Sequence, residues 1–318
     1  MGLVLLVAVP IVLAIWLAVP PSGVDTANRA VEPKEVGRRT VTAIPVSSIS
    51  VDALETMYDK AGFTIARVAK PGEDVPPIFV RSMPRDWLEV PGGTTRKRLF
   101  EKIMLPLVLK ANADIRADRG RLLELMAESA KDDGSDLPAA AQQWLTGLAE
   151  RYKTDGVSFA KLKARVDVIP VEMALAQAAN ESGWGSSRFA RQGNALFGQW
   201  TWDASEAMYP KEQQKGKGNY GVKKFPTLGG SVAGYMRNLN THSAYEPFRR
   251  RRAAQRDAGQ EVLQGRPLVN GLRAYSQRGQ NYIDEIQAMI DHNDYGRLAD
   301  ARLAATPPNV AQAARTGG

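Results

Sequence analysis

The sequence predicts a mainly α-helical protein carrying one small β-hairpin, and three observations predict it. Apolar residues recur at helical spacing, as at Leu99, Phe100, Ile103, Leu107 and Ile115 and again at Tyr235, Met236 and Leu239. The stretch Thr201 to Phe225 has little helix signal, holds Gly216, Gly218 and Gly221, and places Tyr220, Val222 and Phe225 where strands can pair. Ahead of both lies an unbroken apolar run from Leu3 to Val19.

That run is short for a membrane span and long for a signal-peptide core. Trp16 suits an interface and Pro10 is tolerated in membrane helices. Ala18-Val19-Pro20-Pro21 is a poor cleavage site, so residues 1–20 read as a membrane anchor or signal segment, with the uncleaved anchor favoured. The first basic residues, Arg29, Lys34, Arg38 and Arg39, follow the run, and taken alone they place the body in the cytoplasm. Residues 21–48, rich in Pro, Val, Thr and Ser, read as a linker.

Residues 49–155 read as a helical N-terminal region. Val51 to Lys60 has a helical pattern, and Val75 to Val80 is extended between Pro71-Gly72 and Pro84. Gly92-Gly93 opens a long helical stretch in which Pro106 predicts a kink or a break. Asp132-Asp133-Gly134 ends it, and Asp136 with Pro138 starts a helix toward Tyr152. Residues 156–300 form the second domain: a short helix over Phe159 to Val166, the segment Val171 to Gly185, a loop at Arg191 to Gly198, the hairpin, and helices at Leu228 to Leu239 and Asn281 to Met289. Residues 301–318 read as a disordered tail.

Composition excludes several chemistries. The absence of cysteine removes disulfides and thiolate catalysis. With only His242 and His292, a histidine zinc site is not expected, and any Ser-His-Asp triad would need one of these two. No metal or cofactor is expected. The net charge of +8 favours polyanions such as nucleic acid, anionic lipid or an acidic wall polymer. Arg249 to Arg252, the densest basic cluster, reads as a solvated helix face. There is no RNA-recognition signature or zinc-finger spacing, so nucleic acid is not an expected partner.

The segment Pro170 to Gly185 says most about chemistry. Pro170 suits a first helical position and Gly183 a left-handed stop. Gln177, Glu181 and Trp184 fall at i, i+4 and i+7, hence on one face. Glu181 is predicted beside a tryptophan, in a nearly uncharged run, near the negative end of a helix dipole, and each of these favours the protonated acid. A carboxylic acid protonated near neutral pH is what a glycosidase needs to protonate a leaving sugar oxygen. From physics alone the commoner alternative is a solvated glutamate at the end of an apolar helix.

At Ala176-Gln177-Ala178-Ala179-Asn180-Glu181-Ser182-Gly183-Trp184-Gly185, with Asn194-Ala195-Leu196-Phe197-Gly198 following, the chain resembles the FlgJ-type N-acetylglucosaminidases, glycoside hydrolase family 73. Further residues carry the match at Asn194 to Trp200, Tyr235 to His242 and Leu272 to Gly279. The resemblance covers residues 160–295 and touches Leu99 to Ile115. It implies a lysozyme-like α+β catalytic domain, with a helical lobe, a β-hairpin lobe and a cleft between them. It also implies hydrolysis of the β-1,4 bond on the reducing side of N-acetylglucosamine in peptidoglycan, with Glu181 as general acid.

The same resemblance places Tyr275 near the far end of the cleft, to hold an acetamido group or a water, with Tyr282 at a similar spacing. Trp184, Phe197 and Trp200 are candidates for a floor on which sugars stack. Gln177 joins the substrate-binding set, and Asn194 either orients Glu181 or caps its loop. A second carboxylate would lie about 5 Å away for retention or about 6.5–9.5 Å for inversion. Asp203, Glu206 and Glu212 are the hairpin candidates, with Glu206 preferred for its small, apolar setting; the alternative is the substrate's own 2-acetamido oxygen. A lytic transglycosylase using the same glutamate and an inactive tethered wall-binding protein are competing readings. The expected location is the bacterial inner membrane, with the catalytic domain in the periplasm against peptidoglycan glycan strands.

Overall fold

The computed structural model describes residues 44–46, 49–209 and 220–304. The apolar run Leu3 to Val19, most of the expected linker, Glu212 and the tail after residue 304 lie outside these residues. Among the described residues no helix is long and apolar enough to cross a membrane.

β1 (Ile44–Val46) comes from the expected linker and pairs in parallel with a later strand. α1 (Val51–Lys60) starts at Ser50, whose hydroxyl accepts from the Ala53 N–H, and Asp86 accepts from the Val51 N–H at 2.9 Å. The short α2 (Ile65–Val68) leads to β2 (Ile78–Val80), the partner of β1. α3 (Thr94–Glu128) is then a continuous 35-residue helix with Pro106 inside it. The predicted break does not occur. Residues 103–109 are wholly buried, and packing on both sides outweighs a proline cost of about 3 kcal/mol.

α4 (Ala139–Arg151) and α5 (Phe159–Arg165) pack against the far end of α3 through Leu122, Leu145, Leu148, Leu162 and Val166. α6 (Val171–Ser182) and α7 (Arg188–Gly193) lead to the sheet. Its strands β3 (Trp200–Thr201), β4 (Ala207–Met208) and β5 (Gly221–Lys223) are antiparallel in the order β3-β5-β4, so the expected hairpin is a three-stranded sheet. α8 (Leu228–Thr241), α9 (Glu246–Asp257), the short α10 (Gly265–Leu268) and α11 (Gln280–His292) complete the chain.

The main core crosses the boundary expected at residue 155. Leu54, Trp87, Ile103 and Leu109 share one buried cluster with Met173, Leu239, Tyr275 and Ile286. A separate small cluster runs instead from Leu122 to Val166. Asn112 on α3 fixes the junction, donating to the Ile169 carbonyl at 2.7 Å and accepting the Ile169 N–H at 3.0 Å. The start of the expected tail is also built in: the Val75 N–H donates to the Arg302 carbonyl and the Ala304 N–H to the Val75 carbonyl.

The arginine cluster is solvated at Arg250 and Arg251 only. Arg249 and Arg252 are buried. Arg252 donates to the carbonyls of Asp167, Val168 and Ala164 and to Asn240 Oδ1, while Arg249 donates to the carbonyls of Leu239 and His242. Arg256 pairs with Asp167 through two bonds of 3.0 and 2.9 Å. Residues three and four apart share one helix face, and here that face turns inward onto carbonyl groups.

Candidate active site

α6 runs through the core as a chain of small side chains, with Ala174, Ala176, Ala178 and Ala179 all buried. Pro170 is its N-cap, one residue ahead of the expected position. Gly183, Trp184 and Gly185 then adopt φ of 57°, 55° and 75°, which stops the helix at Ser182. Two glycines make such a run of left-handed backbone affordable. The Ser182 hydroxyl locks it, donating to the Ala178 carbonyl at 2.6 Å and accepting the Gly185 N–H at 2.9 Å. Trp87 Nε1 donates to the Trp184 carbonyl at 3.1 Å. The N-terminal region thus braces the turn that holds the acid, a contact no local motif announces.

Glu181 is half-buried on the last turn of α6. It lines a pocket of about 250 Å³ together with Ser187, Arg188, Phe189, Ala195, Gly198 and Val222. These residues come from α6, α7, the loop after α7 and β5, so the pocket lies where the helices meet the sheet. Gly198 has φ +60°, and a Cβ built there would lie 3.8 Å from Glu181 Oε2. Glu181 is the one acid among the described residues lining the pocket.

Behind the acid the structure gathers four buried tyrosines. Gln177 is completely buried, its Nε2 donating to Tyr282 Oη at 2.8 Å while its Oε1 accepts from Tyr235 Oη at 2.5 Å. Tyr282 stacks on Tyr275 at 5.3 Å, and Tyr275 Oη donates to the Phe197 carbonyl at 3.4 Å. Burial pushes the hydroxyls of Tyr235, Tyr245, Tyr275 and Tyr282 above the ordinary tyrosine value, and the charge of Glu181 pushes them further. They stay neutral, and all four feel the carboxylate electrostatically. Tyr235 and Tyr245 are not among the sequence-predicted site residues; the sequence signals for Tyr235 are the apolar stripe and its place in the Tyr235 to His242 stretch that carries the resemblance.

The expected sugar-binding residues separate. Phe197 is fully buried and stacks on Tyr235 at 3.9 Å with rings 6° apart, so it packs in the core and offers no face to a sugar. Tyr275, Tyr282 and Gln177 are equally closed off and form the layer behind Glu181 rather than its solvent-facing wall. Trp184 turns toward α3, with Phe100 edge-on at 5.8 Å and Lys97 Nζ 4.8 Å from its ring centre. Trp200 on β3 is half-buried and stacks on Tyr220 at 4.1 Å. Asn194 holds the left-handed end of α7 (φ 51°) and donates from Nδ2 to the Phe225 carbonyl at 3.0 Å, joining the loop to the end of the sheet.

Among the hairpin carboxylates, Asp203 Oδ1 accepts from the Ser205 N–H and hydroxyl at 2.9 and 2.7 Å. The Ser205 hydroxyl and N–H hold the Asp203 carboxyl below its ordinary value. Glu206 pairs with Lys223 Nζ at 2.5 Å. Neither residue lines the pocket, and Glu212 lies outside the described residues. Among the described residues no group of three His, Asp or Glu could hold a metal ion.

A helical body, a small antiparallel sheet, and a lone acid at a helix end in the pocket between them define a hydrolase of the glycosidase class. Comparison with known proteins agrees with that. The glucosaminidase family described as "Mannosyl-glycoprotein endo-beta-N-acetylglucosaminidase" matches residues 156–295. The chain is 35% identical to "Protein bax" of Escherichia coli (strain K12) over 224 residues, 69% of this chain and 76% of that protein. The chain belongs to the glucosaminidase family of glycoside hydrolases and takes a glycan as its substrate. No solved structure matches it.

Proposed function

We propose that this protein hydrolyses the β-1,4 bond on the reducing side of N-acetylglucosamine in peptidoglycan, with Glu181 protonating the leaving oxygen. The observation that carries the reading is the position of Glu181: half-buried, fixed by the Ser182 and Gly185 turn, and the one acid lining the described pocket. Asp203 and Glu206 are engaged on the sheet by Ser205 and Lys223. We therefore assign the second role to the substrate's 2-acetamido oxygen, which attacks the anomeric carbon as Glu181 gives its proton to the departing oxygen. Water then opens the resulting oxazolinium ion at the anomeric carbon, giving its proton to the Glu181 carboxylate. The buried tyrosines stiffen the wall behind the acid and do not reach the substrate.

The test is a muropeptide digest of sacculi, read by mass spectrometry. Wild type should leave reducing N-acetylglucosamine ends, and Glu181→Gln should leave none while melting at nearly the same temperature. Anhydromuramic ends would overturn hydrolysis in favour of transglycosylation. Glu206→Gln and Glu212→Gln should retain turnover; loss in either brings back a two-carboxylate mechanism.

The apolar run Leu3 to Val19 supports a tether in the inner membrane, and the wall substrate, rather than the flanking charges, puts the catalytic body on the periplasmic side in this reading. Protease protection of the body in intact spheroplasts would argue against that orientation.

A further inference from the structure

Arg188 is the one cation among the described residues lining the pocket that holds Glu181. It stands at the first position of α7, half-buried, with its guanidinium carbon 4.7 Å from the centre of the Phe189 ring. One nitrogen, Nη2, donates to the Tyr209 carbonyl at 2.6 Å, at the end of β4. Among the described residues no carboxylate pairs with it, although eleven other arginines and lysines are so paired. A guanidinium has five N–H donors in a fixed fork, and one hydrogen bond plus one ring contact leave most of that fork unused. The remaining wall residues, Ser187, Phe189, Ala195, Gly198 and Val222, are uncharged.

We infer that Arg188 is a specificity-determining residue that reads a carboxylate on the sugar beside the scissile bond. This rests on the hydrolase reading above and names the substrate class of the same site. Neutral N-acetylglucosamine polymers and N-linked glycoprotein cores carry no such group. A wall glycan does: the sugar following N-acetylglucosamine bears a lactyl ether, and its carboxylate is free wherever the stem peptide has been removed. A planar fork meets a carboxylate through two parallel, charge-assisted hydrogen bonds. The substrate class is thus an acidic glycan stripped of peptide, and the preceding reaction in the sequence is an amide hydrolysis that releases the lactyl carboxylate.

The experiment compares peptide-free glycan strands with the same strands whose carboxylates have been converted to methylamides. Two readouts are taken on the full chain: kcat/KM with Glu181 intact, and binding in the Glu181→Gln background. The ratio of acid to amide strands should exceed about tenfold in both. Arg188→Met should bring both ratios near one, and Arg188→Lys, which keeps the charge and loses the fork, should fall between. The effect on turnover should sit in KM. If Arg188 only latches the sheet to α7 through Tyr209, Arg188→Met will depress both strands alike and leave the ratio unchanged, which overturns the inference. A wild-type ratio near one also overturns it. Absence of cleavage together with a binding ratio above tenfold would sink the hydrolase reading and keep the acidic-glycan site.

Discussion

Replacing Gln177 with leucine tests whether the layer behind Glu181 is structural. Gln177 has no exposed surface, and its amide bridges Tyr235 Oη at 2.5 Å and Tyr282 Oη at 2.8 Å. Leucine keeps roughly the volume and removes both bonds, leaving two buried tyrosine hydroxyls without that partner. Each such group costs about 1–3 kcal/mol, and some relaxation of the rings toward each other offsets part of it. The net expectation is about 3 kcal/mol, which for a domain of this size lowers Tm by roughly 6–12 °C. Differential scanning calorimetry at neutral pH measures it. Adding Tyr235→Phe and Tyr282→Phe removes the stranded hydroxyls, so the triple variant should recover much of the loss. A triple variant no more stable than Gln177→Leu alone refutes the reasoning. So does a Gln177→Leu protein with an unchanged Tm and a raised KM, because that would put the side chain on the substrate.

Three other expectations are open to test. Burial alone would raise the Asp167 carboxyl, but the hydrogen bond from Arg256 and the charges of Arg252, Arg119 and Arg256 outweigh it and hold the group below its ordinary value. Its contribution is therefore complete above about pH 4 and is lost as the pH falls below that. Urea midpoints should show Asp167→Asn less stable at pH 6 and converging with wild type toward pH 2; a constant gap would contradict the linkage. Gly185→Ala would put a Cβ 2.5 Å from Met83 Cε at φ +75°, and about 1–2 kcal/mol of lost stability should be partly recovered in the Met83→Ala double variant. Gly198→Ala should keep most turnover, because its Cβ meets Glu181 Oε2 at an ordinary 3.8 Å. Gly198→Val, with branched methyls at a left-handed position, should cost at least about tenfold in kcat; equal kcat in the two variants would show that Gly198 does not govern the acid.

Much of the fold was legible because its signals are local. The α6 stop needed only Gly183 and Gly185, the α4 start only Pro138, and the helical stripes only their spacing. The break that Pro106 allowed does not occur because its penalty is local while its compensation, the burial of α3 against α6 and α8, is not. The arginine run misled at Arg249 and Arg252 for a related reason: four consecutive charges read as solvent-facing, as Arg250 and Arg251 are, unless the carbonyls of Ala164 to Val168 are known to wait across the gap from Arg252.

By itself the sequence determined that this chain carries a helix ending within a turn of a glutamate, in an uncharged setting, within a family whose motifs it shares. Tertiary structure alone decided what surrounds that glutamate. It sent Gln177, Phe197, Tyr275 and Tyr282 into the core behind the acid, tied Asp203 and Glu206 to the sheet, and brought Arg188 from α7 and Gly198 from its loop to the pocket wall. The reason is physical. A helix end and its capping follow from bonds between neighbours a few residues apart, whereas the wall of a pocket is made by segments whose meeting depends on how the whole core closes.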